Sequence, residues 1–227
     1  MSSTEASTRL AGLLSRLTTA GELDPPPVPE CGVEPLLYEL LRSFLLWEAS
    51  PAKAELAIES LLNAVVDCNE LRICLPDEVH AMIGPRYPRG LERAMRIRSA
   101  LNDLFEREHD ASLEILTTLS KRDARAYLLS LEGVPPFVAS RVVLLGLGAH
   151  AFPMDHRLLK PLIAEGVFAA EATPEAAAGW LERNLRAGEV RAAYLAIEAW
   201  AQKPAPKRSR RQTKSQPPAQ RSNKAQD

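Results

Sequence analysis

Apolar side chains recur three and four positions apart along most of this 227-residue chain, the spacing that places them on one face of an α-helix. PLLYELLRSFLLWEAS (35–50) and PAKAELAIESLLNAVVD (51–67) carry the pattern most strongly, and between them Ser50 suits a cap and Pro51 a first helical turn. Ser120 with Asp123 three residues on predicts a start before ARAYLLSL, and Thr173-Pro174-Glu175 predicts another before AAAGWLERNL. No stretch alternates with period two for long enough to make a strand. Breaks fall at Gly21 to Gly32, Gly84 to Gly90, Gly133 to Pro136, Gly146 to Pro153 and Gly188, and no repeat of fixed period is visible. The expected class is all-α.

At 46% hydrophobic and 25% charged residues the chain can bury a real core. No apolar run approaches membrane length, and the first residues, MSSTEASTRLAGLL, lack the features of a secretory signal, so a cytosolic protein without a membrane partner is expected. Cys31, Cys68 and Cys74 match neither a disulfide framework nor a paired metal motif, and His80, His109, His150 and His156 are scattered; no metal is expected. The net charge of -1 hides an asymmetry. Residues 203–227 hold eight of the 28 basic residues and one of the 29 acidic ones, leaving 20 basic and 28 acidic residues, or about -8, on the body. Being rich in Pro, Gln, Ser and Lys, this tail is expected to be disordered, serving either solubility or a loose tether to phosphates. Within the acidic body, RYPRGLERAMRIRS concentrates Arg86, Arg89, Arg93, Arg96 and Arg98 against Glu92 alone. That run suits phosphates beside a loop, or equally a solvated helix face with a Glu92–Arg96 pair.

The most informative stretch is LEGVPPFVASRVVLLGLGAHAFPMDHR (131–157). It reads as the end of one helix, a Gly-Val turn, a second helix, a small-residue loop, and an acid, Asp155, at the start of a third helix. Gly133 permits the chain reversal, and the second helix offers free N–H groups and its dipole to an anion. Asp155 suits a helix N-cap whether or not it does chemistry.

In these residues the chain resembles the helix-hairpin-helix DNA glycosylase superfamily, and its endonuclease III branch above all. Leu131, Gly133, Val134 and Ala139 match the hairpin, and Asp155 falls on the family's catalytic aspartate. The resemblance spans roughly residues 35–200, with Glu48 at a position that is usually Gln and with GPRYPRGLERAMRIRSAL similar to the family's loop and following helix. It implies a protein that flips a damaged base out of double-stranded DNA into a cleft between two helical lobes. Asp155 would then stabilise the cationic sugar or activate water. The implied DNA contacts are the backbone of Gly133, Val134, Phe137 and Val138, the side chains of Arg86 and Arg89, Arg157 and Lys160 near the lesion, and Glu48 filling the gap or touching the base. The implied lobes are a helical barrel over 35–149 ending in the hairpin, and a second lobe joining 1–34 to 150–202. A monomer associated with the nucleoid is expected.

Three departures bear on activity. The family's lyase lysine falls on Phe137, which removes the Schiff-base route and leaves a monofunctional glycosylase, since members related to 3-methyladenine DNA glycosylase II also carry an aromatic residue there. The hairpin's second glycine is Pro135, followed by Pro136, and proline has no N–H to offer a phosphate. No cysteine follows Cys74, so the four-cysteine iron–sulfur loop of endonuclease III is missing and no cofactor is expected. The competing expectations are a non-catalytic DNA-binding protein that keeps the fold, and a helical interaction module with no DNA role.

Overall fold

The computed structural model describes residues 3–18 and 32–202, and every element of regular structure among them is an α-helix. In chain order these are α1 (Ser3–Thr18), α2 (Pro35–Leu46), α3 (Pro51–Asn63), α4 (Cys68–Ile73), α5 (Pro76–Ile83), α6 (Gly90–Glu108), α7 (Ile115–Thr118), α8 (Lys121–Ser130), α9 (Pro136–Leu147), α10 (His156–Ala164), α11 (Pro174–Asn184) and α12 (Val190–Ala201). The all-α class is as the periodicity predicts. The readings of the proline-rich connection before Gly32 and of the basic tail lie outside the described residues.

α2 is the axis of the molecule. Every residue from Leu36 to Leu46 is buried, and the helix packs on α3, α6 and α9. Its buried Glu39, Arg42 and Ser43 find polar partners, and burying Leu40, Leu41, Phe44 and Leu45 contributes about 1.5–3 kcal/mol each. α5 packs on α3 and α6, α4 on α6, and α8 on α9. A second group forms around α12, which packs on α1 and on α10, with α11 against α10. One continuous apolar core runs through both groups, from Leu10 and Leu13 to Tyr194 and Ile197.

Local signals set most helix starts. Ser120 Oγ accepts from Asp123 N at 3.1 Å, Thr173 Oγ1 from Ala176 N at 3.2 Å, and Asp67 Oδ1 from Glu70 N at 2.8 Å. Two expectations are corrected. Ser50 stands at the N-cap of α3 but makes no capping hydrogen bond with its side chain, and Pro51 begins the helix. The helical run predicted over 35–50 ends at Leu46, and Glu48 takes a left-handed φ of 56°. Pro51 bars a helix from running on through Trp47 to Ser50, and Arg93 on α6 holds the end of α2.

Candidate active site

Arg93, on α6, is fully buried. It donates from Nε to Pro88 O at 2.9 Å and from its two terminal nitrogens to Phe44 O and Trp47 O. Those two carbonyls lie at the C-terminal end of α2, where a cation meets both unsatisfied acceptors and the negative end of the helix dipole. Burial lowers the guanidinium to about 10, so it stays charged at neutral pH. With the last carbonyls of α2 taken by Arg93, the chain leaves the helix and Glu48 adopts a conformation that a non-glycine residue takes only when its surroundings hold it there.

The turn aims Glu48 N–H at the head of α10. It donates to Asp155 Oδ2 at 2.9 Å, while Leu158 N donates to Asp155 Oδ1 at 3.0 Å. Asp155 is therefore an N-cap, but one tied to a second segment 107 residues away. It is 1% exposed. Burial raises its pKa above the ordinary value of 3.8; Arg157 and the two backbone donors pull against that rise, and the neighbouring Glu48 charge adds to it. The clamp is reciprocal, since Glu48 Oε1 accepts from both the backbone N and the ring Nδ1 of His156, each at 2.9 Å.

Arg157, expected to reach toward phosphates, is turned inward. Its side chain is only 16% exposed, with Nε 3.6 Å from Asp155 Oδ2 and Nη2 3.4 Å from Glu198 Oε1. From there a buried polar chain crosses the molecule. Tyr194 Oη donates to Glu198 at 2.8 Å, Arg141 Nε donates to Tyr194 Oη at 2.9 Å, and Arg141 Nη1 meets Glu39 and Ser43 on α2. Burial raises the Tyr194 phenol well above its usual range, so it serves as a neutral link. The chain joins α2 and α9 to α12 and α10, and pairs buried carboxylates with buried guanidiniums.

The hairpin between α8 and α9 forms where its sequence places it. Gly133 has φ 81°, and a Cβ there would lie 3.2 Å from both Cα and O of Arg96, so both conformation and close approach to α6 require glycine. Its amides are largely spoken for: Glu132 N donates to Asp103 Oδ2 at 2.8 Å and Val134 N to Leu131 O at 3.3 Å. Val134, expected to offer its amide outward, uses it inside the turn. Pro135 and Pro136 have none. The first-turn amides of Phe137 and Val138 remain, since the first N–H groups of a helix have no intrahelical acceptor. The Phe137 ring itself is buried, at 2% exposure.

These pieces meet in a cleft of about 460 Å³. Trp47, Glu48, Asp155, His156 and Phe137 are among its lining. On the α11 side, Arg125 pairs with Glu182 at 3.1 Å and donates to Ser140 Oγ at 3.2 Å. Arg89 lies at the mouth with its guanidinium 4.5 Å from the Trp47 ring centre and an ion pair to Glu92 at 2.7 Å. Arg86 and Lys160 are exposed and make no part of the lining. Of the residues singled out from sequence, Glu48, Asp155, Phe137 and Arg89 come together here. Trp47, Arg125, His156 and Glu182 were not singled out; Trp47 and His156 adjoin Glu48 and Asp155 in sequence, whereas Arg125 and Glu182 are joined only by folding.

No protein-family model matches the sequence, and no curated protein matches it. Solved structures do. An endonuclease III trapped as a covalent intermediate on DNA superposes with a TM-score of 0.67 at 13% identity, over 86% of this chain and 85% of that one. The 8-oxoguanine glycosylase/lyase of Clostridium acetobutylicum in complex with DNA gives 0.64 at 14% identity over 88% and 70%. A thermostable thymine-DNA glycosylase gives 0.61 at 13% over 91% and 90%. The chain thus has the helix-hairpin-helix DNA glycosylase fold.

Proposed function

We propose that the protein is a monofunctional DNA N-glycosylase, which binds duplex DNA carrying a damaged or mismatched base, turns that base into the cleft and cuts its bond to the sugar. The observation that carries this reading is the state of Asp155: a buried carboxylate, fixed by two backbone donors from different segments, lining an open cleft beside a helical hairpin. A carboxylate held in this way needs no rearrangement when positive charge develops on the sugar, and such preorganised charge is worth most where water is excluded. Arg157 is then a positioning residue whose charge opposes the upward pull of burial on the Asp155 pKa. Arg86, Arg89 and Lys160 are left to meet the phosphates, with the amides of Phe137 and Val138 adding what the hairpin still offers. Monofunctional chemistry is supported by the cleft lining, in which none of the described residues is a lysine.

The test is single-turnover incubation of wild type and Asp155→Asn with duplexes carrying uracil, oxidised pyrimidine, alkylated purine, adenine opposite 8-oxoguanine, or an abasic site, each read with and without alkali. Strand breaks that need alkali and vanish in the variant are the expected result. A second reading, a non-catalytic DNA-binding protein on the same fold, is favoured by Pro135 and Pro136 in the hairpin; unbroken strands on every duplex with intact binding would establish it.

A further inference from the structure

Asp155 is fixed and shut off from bulk water. Oδ1 holds Leu158 N–H, Oδ2 holds Glu48 N–H and faces Arg157, and the side chain is fully enclosed. It suits a fixed charge. Hydrolysis also needs a group that accepts the proton of the attacking water, and the neighbouring residue is arranged for that.

The His156 ring is 62% exposed, yet it is held. A single oxygen of Glu48 takes both its backbone N–H and its Nδ1, each at 2.9 Å. A carboxylate oxygen accepts in this contact, so Nδ1 carries the hydrogen, and in the neutral form of the ring Nε2 keeps the lone pair. The Glu48 side chain is 19% exposed and hangs from the left-handed turn that Arg93 enforces, so the acid that orients the ring is itself anchored. Base, orienting carboxylate and open cleft thus recur here in the arrangement that activates a nucleophile.

We infer that His156, oriented by Glu48, is the proton acceptor for the water that attacks the sugar. This rests on the glycosylase reading. The bond between C1′ and the base nitrogen breaks with its electron pair leaving on the base. The water oxygen bonds to C1′ and gives one proton to His156 Nε2. The imidazolium passes that proton to the departed base, and Asp155 stays ionised throughout. One water is added across one bond, with no oxidant or further reactant. The charged groups lining the cleft around the ring are Glu48, Asp155, Arg89, Arg125, Glu175 and Glu182.

The experiment measures single-turnover base release, duplex affinity and thermal midpoint for wild type, His156→Ala, Glu48→Gln and Asp155→Asn over about pH 5 to 9, with and without added imidazole. His156→Ala keeps the backbone N–H that Glu48 holds. It is expected to slow release ~100-fold with affinity unchanged, to lose the imidazole limb of the pH profile while keeping the carboxylate limb, and to recover partly in added imidazole. Glu48→Gln is expected to slow release ~10-fold. A His156→Ala rate within threefold of wild type, or a loss with an unaltered pH profile and no rescue by imidazole, overturns the inference while leaving the glycosylase reading in place if Asp155→Asn is inactive. Absence of base release by the wild type removes both.

Discussion

The two ends of the cleft are built by opposite means. At the head of α10 the key groups are held from elsewhere in the chain: Asp155 from the end of α2, Glu48 from His156, and the end of α2 from Arg93. At the hairpin Pro135 and Pro136 offer no donor, and the amides of Glu132 and Val134 are used within the fold, leaving those of Phe137 and Val138. The contrast teaches that this fold can keep a rigid site for charge while reducing its grip on the DNA backbone, because the two depend on different residues. On the proposed function, phosphate contact shifts to side chains such as Arg86 and Arg89, whose contribution is screened by salt where that of a buried carboxylate is not.

The sharpest break at the first end is Asp155→Asn. The amide can still accept from one backbone donor but carries no charge, so the single-turnover rate is expected to fall ~10²–10³-fold with duplex affinity within about threefold of wild type. The same residue predicts a pH effect. Because burial raises its pKa above 3.8, the folded protein holds a proton that the unfolded chain has already released in the window just above that value. Stability therefore decreases as pH rises through that window and then levels off, and the rate rises as the carboxylate ionises; urea midpoints against pH should show this slope in wild type and not in Asp155→Asn.

Arg93→Met tests whether the anchoring is long-range. It leaves Phe44 O and Trp47 O buried without a donor, and is expected to destabilise the fold by about 2–4 kcal/mol in urea unfolding and to slow base release as well, since Glu48 loses its anchor. At the other end, Gly133→Ala combines φ of 81° with contact at 3.2 Å to the Arg96 backbone, and about 1–3 kcal/mol of destabilisation should appear as a lower thermal midpoint. The smallest expected effect runs in the opposite direction. Pro135→Gly returns an N–H to the hairpin and should tighten duplex binding by roughly two- to tenfold without changing the rate on bound substrate, as fluorescence anisotropy would show.

What could be read from the sequence follows from how far each signal reaches. The helices, the Ser120 and Thr173 caps and the hairpin at Gly133 were legible because their causes lie within four residues. The place where α2 stops was not, since its last turn is held by Arg93, 46 residues beyond Trp47. Arg157 read as a surface cation because its partner Glu198 is 41 residues away, and Glu48 read as a wedge because nothing in the sequence shows His156 folding back onto it. Asp155 could be located by resemblance, but its burial and double anchoring could not.

The central claim is that Asp155 stabilises positive charge on the sugar, and it can be tested without knowing which base is removed. The measurement is the affinity of wild type and Asp155→Asn for two duplexes that differ only at an abasic position, one holding a neutral tetrahydrofuran and the other a cationic pyrrolidine. The account predicts that wild type binds the cationic duplex at least ~100-fold more tightly and that the preference collapses in Asp155→Asn. Equal affinity of wild type for the two duplexes, or a preference that survives the substitution, would contradict it.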